Sequence, residues 1–342
     1  MSSIPAMIRR ILVPTIAILI TAGPAWGQSE TGTTLAQFML IEPSARIAGM
    51  GNAGVSLYEG LDAAYYNPAA IGRVNQMSLE FSHSEWLADI SYDYAAFALP
   101  FGGYGTPYIS VTALNSGEMD VRTVDHPLGT GERFSVTDVG IALGYGRQIT
   151  QRFAVGGQVT WVQETIWHTS TSTAMFNLGT LYRISATGLH VGSSLSNFGT
   201  HGQYGGRDLR VTYDADPARN GDNGTLPSEQ FTGDFPVPAL FRVGVGYPVR
   251  LNEQTRLQLA LDAFHPSDNT ESASLGAELD YRRALAVRLG YQNAFQKDSE
   301  VGLTLGAGWR GELANYGYRL DYAWADHGRL GNTQRITLGF NF

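Results

Sequence analysis

The chain has 342 residues, enough for one large domain or two ordinary ones, and combines 41 glycines and 17 tyrosines with only 16% charged residues, an unusual balance for a cytosolic enzyme. Cysteine is absent, which excludes thiol catalysis, cysteine-ligated metal and a lipidated amino-terminal cysteine. Formal charge is −8 and every basic residue except Lys297 is arginine, with no basic run to serve as a nucleic-acid footprint.

The first 27 residues read as a cleaved secretory signal. Arg9 and Arg10 supply the positive start, residues 11–22 an apolar stretch, and Ala25-Trp26-Gly27 a small-residue cleavage site. A dozen apolar residues is too short for a helical span, which needs about 20.

Residues 28–75 follow as a segment rich in small residues and without strand alternation. Gly49, Gly51 and Gly54 formally match a dinucleotide fingerprint, but no buried strand precedes them and Asp62 comes too early for the acidic partner. The glycines read instead as places where backbone packs on backbone in a confined space. Residues 61–66 predict one or two helical turns, ended at Asn67, and Pro68 starts a second short helix through Ala69. Pieces this small have too little apolar surface to fold alone, so the segment is expected to be a hatch (plug) inside an enclosing wall.

From residue 76 onward the sequence alternates. Segments at 77–83, 89–99, 106–116, 134–147, 152–167, 172–184, 188–197, 238–248, 255–264, 271–281, 284–294, 301–310, 313–326 and the last ten residues are apolar on one face and polar or small on the other. Many are near the 9 to 11 residues that cross a bilayer as a tilted strand, and their even number returns both ends of a barrel to one side. Mean hydropathy near zero suits such a wall, because alternation hides the lipid face in the average. The expected fold is therefore all-β, a transmembrane antiparallel barrel of about 14 strands over residues 76–342.

Loop lengths agree: short connections fall on one side and long ones, above all 198–237, on the other. Tyr145, Tyr247, Tyr281, Trp309, Phe340 and Phe342 then lie near the inner rim, and Trp161, Trp167, Tyr291 and Trp324 near the outer. A secreted sandwich or propeller also alternates, but has no reason to build two aromatic girdles or a one-sided loop asymmetry. The polar face carries Arg242, Arg256, Asp262, Glu278, Asp280, Arg288, Arg310, Arg319, Asp321 and Arg335, mixed signs expected to brace the wall or hold the hatch.

Reactive constellations are sparse. His168 and Ser170 share a strand side, with Asn177 nearby, but lie in a Ser/Thr-rich outer hairpin. Asp214, Asp216, Asn220, Asp222 and Asn223 suggest calcium, yet Ala218 occupies a position where the twelve-residue loop needs a ligand. No catalytic, metal or cofactor site is expected.

Residues 38–46 (FMLIEPSAR), 49–55 (GMGNAGV) and 66–70 (YNPAA) resemble the PorV/PorQ family, a branch of the FadL-like, long-chain fatty acid transporter superfamily. The resemblance is specific over residues 35–72; elsewhere it covers topology and the terminal Phe342. It implies a bacterial outer-membrane barrel with Asn67, Pro68 and Ala69 in the hatch, where Pro43, Ser44 and Arg46 of the same stretch are also expected, and Phe340 with Phe342 as the signal read by the barrel-insertion machinery. Its implied surroundings are outer-membrane lipid and lipopolysaccharide. Its implied role is protein export of the type IX kind, with exported proteins or secretion-system components docking at the outer loops; the alternative is uptake of hydrophobic small molecules.

Overall fold

Strict alternation from residue 78 onward leaves each segment with one apolar and one polar edge, and the chain satisfies both by rolling the segments into a single closed sheet. A computed structural model describes residues 32–342 apart from 58–59, 185–187, 215, 217, 219–224, 297–298 and 315, and apart from the side chain of Leu313. The expected signal segment, Lys297, and Asn220, Asp222 and Asn223 of the calcium reading lie outside the described residues.

The wall has fourteen strands. They are β1 (Ser78–Glu85), β2 (Ser91–Ala98), β3 (Thr106–Asn115), β4 (Val136–Gln148), β5 (Phe153–Ile166), β6 (Thr169–Arg183) and β7 (His190–Gly199). The second half is β8 (Leu240–Arg250), β9 (Thr255–Pro266), β10 (Ser272–Tyr281), β11 (Leu285–Ala294), β12 (Leu303–Leu313), β13 (Tyr316–Asp326) and β14 (Asn332–Asn341). Each pairs antiparallel with its sequence neighbours, and the ring closes where β1 meets β14, Ser78 opposite Asn341 and Glu85 opposite Gln334. No edge is left open to lipid.

Connections on the side of the chain ends, such as 149–152, 251–254 and 282–284, are short, and none exceeds the seven residues of 99–105. The opposite side carries 116–135 and 200–239, each with a small ladder of its own. The outward face is mostly apolar, with His83 and Asp93 paired on it at 2.7 Å. Leu143, Leu178, Val287, Leu289 and Leu338 are exposed on it, as are Tyr145, Tyr247, Tyr281, Trp309 and Phe342 at one rim and Trp161, Trp167 and Tyr291 toward the other. At the inner rim Trp309 packs on Tyr318 at 5.0 Å and Tyr316 on Phe342 at 5.6 Å between ring centroids.

The described residues of 35–74 occupy the lumen as short pieces: 3-10 turns at Gln37–Leu40, Leu61–Ala64 and Pro68–Arg73, and one turn of α-helix, α1, at Ala45–Ala48. Ser44 caps α1 by accepting from the Ile47 N–H at 3.3 Å, and Asn67 caps the last turn by accepting from the Ala69 N–H at 3.0 Å. None is long enough to be stable in isolation. Their order comes from the wall, where Phe38, Met39, Ile47, Met50, Tyr66 and Ile71 join Tyr92, Tyr94, Tyr108, Val162 and Met175 in one buried apolar cluster.

Candidate functional site

Contact between hatch and wall begins with backbone. Gly49 of the hatch faces Gly306 of β12, where an added Cβ would stand 3.1 Å from the Gly49 Cα; a Cβ on Gly290 of β11 would overlap the Gly51 amide, and one on Gly156 of β5 the Pro68 carbonyl. Gly51 also has φ +65°, a conformation that glycine adopts without strain. Gly54 sits under Ile47 and the Tyr66 ring. Gly49 and Gly51 therefore have glycine partners in the wall, which sequence reading had singled out on one side only.

Charge holds the same interface. Arg46 grips Glu278 of β10 with Nε and Nη2 at 2.9 and 2.8 Å and stands 3.7 Å from Asp62. Arg319 of β13 reaches Asp62 at 3.3 Å, Glu80 of β1 at 2.7 Å and Asp321 at 2.7 Å. Arg288 joins Glu278 to Asp321 at 2.6 and 2.8 Å, and Arg310 binds Asp280 at 2.5 Å. Four arginines and five carboxylates thus form one network spanning the hatch and five strands of the wall, most of it buried. Burial alone would raise the Asp62 pKa, but Arg319 and then Arg46 hold it below the ordinary aspartate range.

The remaining candidate residues attach elsewhere. Asp262 of β9 accepts from the Val55 N–H at 2.8 Å, and the Ala45 N–H donates to Thr337 of β14 at 2.9 Å. Arg242 of β8 lies 3.6 Å from Glu42 and 6.0 Å from the centres of the Tyr66 and Phe264 rings. Arg335 donates to Ser84 at 2.8 Å and covers Trp86, and the Pro43 carbonyl accepts from Ser82 at 2.5 Å. Arg256 faces the lumen opposite Arg250 and Asp280 in register, while Asp280 is engaged by Arg310. Phe340 and Phe342 point outward. Glu80 and Glu42 were not among the sequence candidates. Glu80 was visible in principle, as the charged member of the polar series Ser78, Glu80, Ser82, Ser84 along β1.

The outer side offers an apolar cleft. The hairpin of β5 and β6 rises past β7, whose Gly199 pairs only as far as Met175, and Gly205 and Gly206 cover the gap beside Ser170 and Thr169. Between this hairpin and the loops 116–135 and 200–239 lies a cavity of about 490 Å³ lined by Phe134, Ile166, Trp167, Tyr204, Leu209 and Phe235, with Arg122 and Asp208 of opposite charge among its other lining residues. Tyr204 and Phe235, 6.3 Å apart edge to face, also pack against the buried cluster of the hatch. The cleft floor and the hatch core are therefore continuous apolar material.

His168 caps the β5–β6 hairpin, but its partner is Asp208 at 3.0 Å, whereas Asn177 lies further down β6 and accepts from the Asn197 N–H at 2.7 Å. The His168–Ser170–Asn177 set is not assembled. Asp214 accepts from the Asp216 N–H at 3.0 Å, and among the described residues no group of three metal-ligating side chains converges.

A closed fourteen-stranded antiparallel barrel, apolar outside and filled by its own amino-terminal segment, is the architecture of a membrane-spanning β-protein. Among solved structures it is similar to the Pseudomonas putida toluene transporter TodX, with 14% identity, 87% of this chain and 96% of that chain covered and a TM-score of 0.56. It is likewise similar to the Ralstonia pickettii toluene transporter TbuX (12% identity, 86% and 96% covered, TM-score 0.52) and a Pseudomonas aeruginosa FadL homologue (11% identity, 86% and 96% covered, TM-score 0.51). The likeness shows a shared fold. No protein-family model and no curated protein matches the sequence.

Proposed function

We propose that this chain is a bacterial outer-membrane channel that admits hydrophobic small molecules, taken first into the cleft between Phe134, Trp167, Tyr204 and Phe235. The observation that carries the reading is the continuity of that cleft with the apolar core of the hatch. A solute bound there has an oily path inward that is interrupted only by side chains and short turns. The volume lies within the range of about 300–1,000 Å³ usual for small-molecule pockets. The fold shared with two toluene transporters supports the same reading. In this scheme residues 1–27 direct export and are removed, residues 28–75 act as the hatch, residues 76–342 form the wall, and Phe340 and Phe342 address the chain to the insertion machinery. The protein acts by binding and passage, without catalysis, cofactor or metal.

The test is equilibrium binding of toluene and naphthalene to the detergent-solubilised barrel. Phe235→Ser removes most of one aromatic surface from the cleft floor. Burying such a side chain contributes about 1.5–3 kcal/mol, so affinity is expected to fall about tenfold or more. Undiminished binding by a correctly folded Phe235→Ser protein would remove the cleft from the pathway.

Protein export remains the second reading. It rests on the resemblance of residues 35–72 and on the size of loop 200–239, and it draws no support from the similar structures. Deleting the protein and comparing the secretome with hydrophobic-substrate uptake separates the two: loss of uptake with unchanged secretion is the expected result.

A further inference from the structure

Beneath the cleft, Asp138 of β4 and Glu164 of β5 are direct partners across the sheet, both on the luminal face and only 7% and 8% exposed. Like charges placed opposite one another oppose folding, and burial makes this worse. Elsewhere in the lumen Glu42, Asp62, Glu80, Glu278, Asp280 and Asp321 each stand within 4.0 Å of an arginine. Asp138 and Glu164 have none among the described residues. Glu164 receives neutral donors, the Ala36 N–H at 2.9 Å and the Tyr204 hydroxyl at 3.2 Å; Asp138 receives the Thr165 N–H, and its Oδ1 has no hydrogen-bond partner among the described residues.

Tyr204 separates the pair from the cleft, its ring forming part of the cleft lining and its hydroxyl bonded to Glu164. Burial first, then the negative field of Glu164 and Asp138, push the Tyr204 hydroxyl above the ordinary tyrosine range, so both carboxylates face it. It belongs to loop 200–239 and not to the wall, so its ring can swing aside without breaking a strand ladder. The cleft lining itself carries one charge of each sign, Arg122 and Asp208, the latter held by His168 at 3.0 Å.

We propose that Asp138 and Glu164 form a subsite for a cationic head group, so that the cleft prefers apolar amines over neutral molecules of equal length. The proposal deepens the uptake reading and rests on it. A primary ammonium carries three donors and no acceptor, which complements two carboxylates with a free oxygen, while its alkyl tail lies against Trp167, Phe134 and Phe235.

The experiment compares octylammonium, octanol and calcium chloride by titration calorimetry on the purified barrel in micelles, with folding checked by heat-modifiable migration on gels. Octylammonium is expected to bind at least about tenfold more tightly than octanol. Asp138→Asn and, independently, Glu164→Gln should each remove most of that preference, read as the ratio of octylammonium to octanol affinity within each variant. Equal affinity for octylammonium and octanol in the unaltered protein would overturn the proposal, as would a preference that survives both substitutions. Calcium binding alone and displacing octylammonium would give the pair to an inorganic cation and equally overturn it. Failure of octanol and octylammonium alike to bind would instead bring down the uptake reading beneath it.

Discussion

Glu278 accepts from Arg46 and Arg288 and stands 3.5 Å from Arg310, so three cations depend on one buried carboxylate. Removing a single cation is milder than removing the anion. After Arg46→Ala, Glu278 keeps Arg288, and Asp62 keeps Arg319; the expected loss is about 3 kcal/mol, the lower end for breaking a buried pair. Glu278→Ala strands charge on several arginines at once and is expected to cost about 5 kcal/mol or to prevent folding. Denaturant midpoints in micelles rank the two, and an Arg46→Ala loss as large as that of Glu278→Ala would contradict the shared network. Asp62 adds a pH dependence. Its folded pKa lies below the unfolded value of about 3.9, so its stabilisation is complete above that value and is lost only as pH falls through the lower folded one. The stability difference between the unaltered protein and Asp62→Asn should accordingly stay constant from neutral pH down to about pH 4, read as denaturant midpoints in micelles; a difference that shrinks already near pH 6 would contradict this. At this scale alternation placed Arg288, Arg319 and Asp321 on the polar face, because parity along a strand is a local property, but the reading passed over Glu80, Asp138 and Glu164 on the same face. It did not show that Arg46 chooses Glu278, since 232 residues separate them and only closure of the ring brings them together.

Strands were readable and their counterparts were not. All fourteen wall segments were visible from alternation, with ends displaced by a few residues where ladder pairing, a nonlocal property, outlasts the apolar pattern: β8 runs to Arg250 and β12 to Leu313, past the segment ends at 248 and 310 expected from local composition. The short helical pieces at Leu61–Ala64 and Pro68–Arg73 were likewise local, set by Asn67 and Pro68. The wall glycines were invisible as a group, because Gly156, Gly290 and Gly306 lie on three different strands and gain a common meaning only through the hatch between them. This gives a prediction about elements. Gly290→Ala puts a methyl group where the Gly51 amide lies, backbone against backbone with no flexible side chain to yield. Overpacking of this kind costs about 1–3 kcal/mol when the surroundings can shift. The wall is closed by its ladders, so the hatch is the part expected to move, and proteolysis of residues 45–57 in the otherwise folded barrel should accelerate. Alanine at Gly103, with nothing within 4 Å of its Cβ position, should leave that rate unchanged.

At the scale of the whole molecule, wall and hatch contribute unequally. The ring has its own continuous hydrogen-bonded ladder from β1 round to β14, and its outward face is matched to lipid without reference to what fills the lumen. The hatch has only short turns and exists as structure because the wall surrounds it. Excising residues 32–74 should therefore leave a barrel that still inserts and resists heat in detergent, although Glu278, Glu80 and Asp262 each lose a hatch partner or the arginine geometry that partner fixed. Those groups become lumen-lining charges in contact with water, where solvation replaces much of what the ion pairs supplied. The truncated protein should carry a steady ion current across a planar bilayer, against a closed baseline for the full chain. Phe235→Ser in the full chain should weaken apolar binding while the baseline stays closed, because the cleft lies outside the charged seal. A truncated barrel that remains electrically silent would mean that the wall collapses on its own lumen, and the hatch would then be a brace and not a stopper.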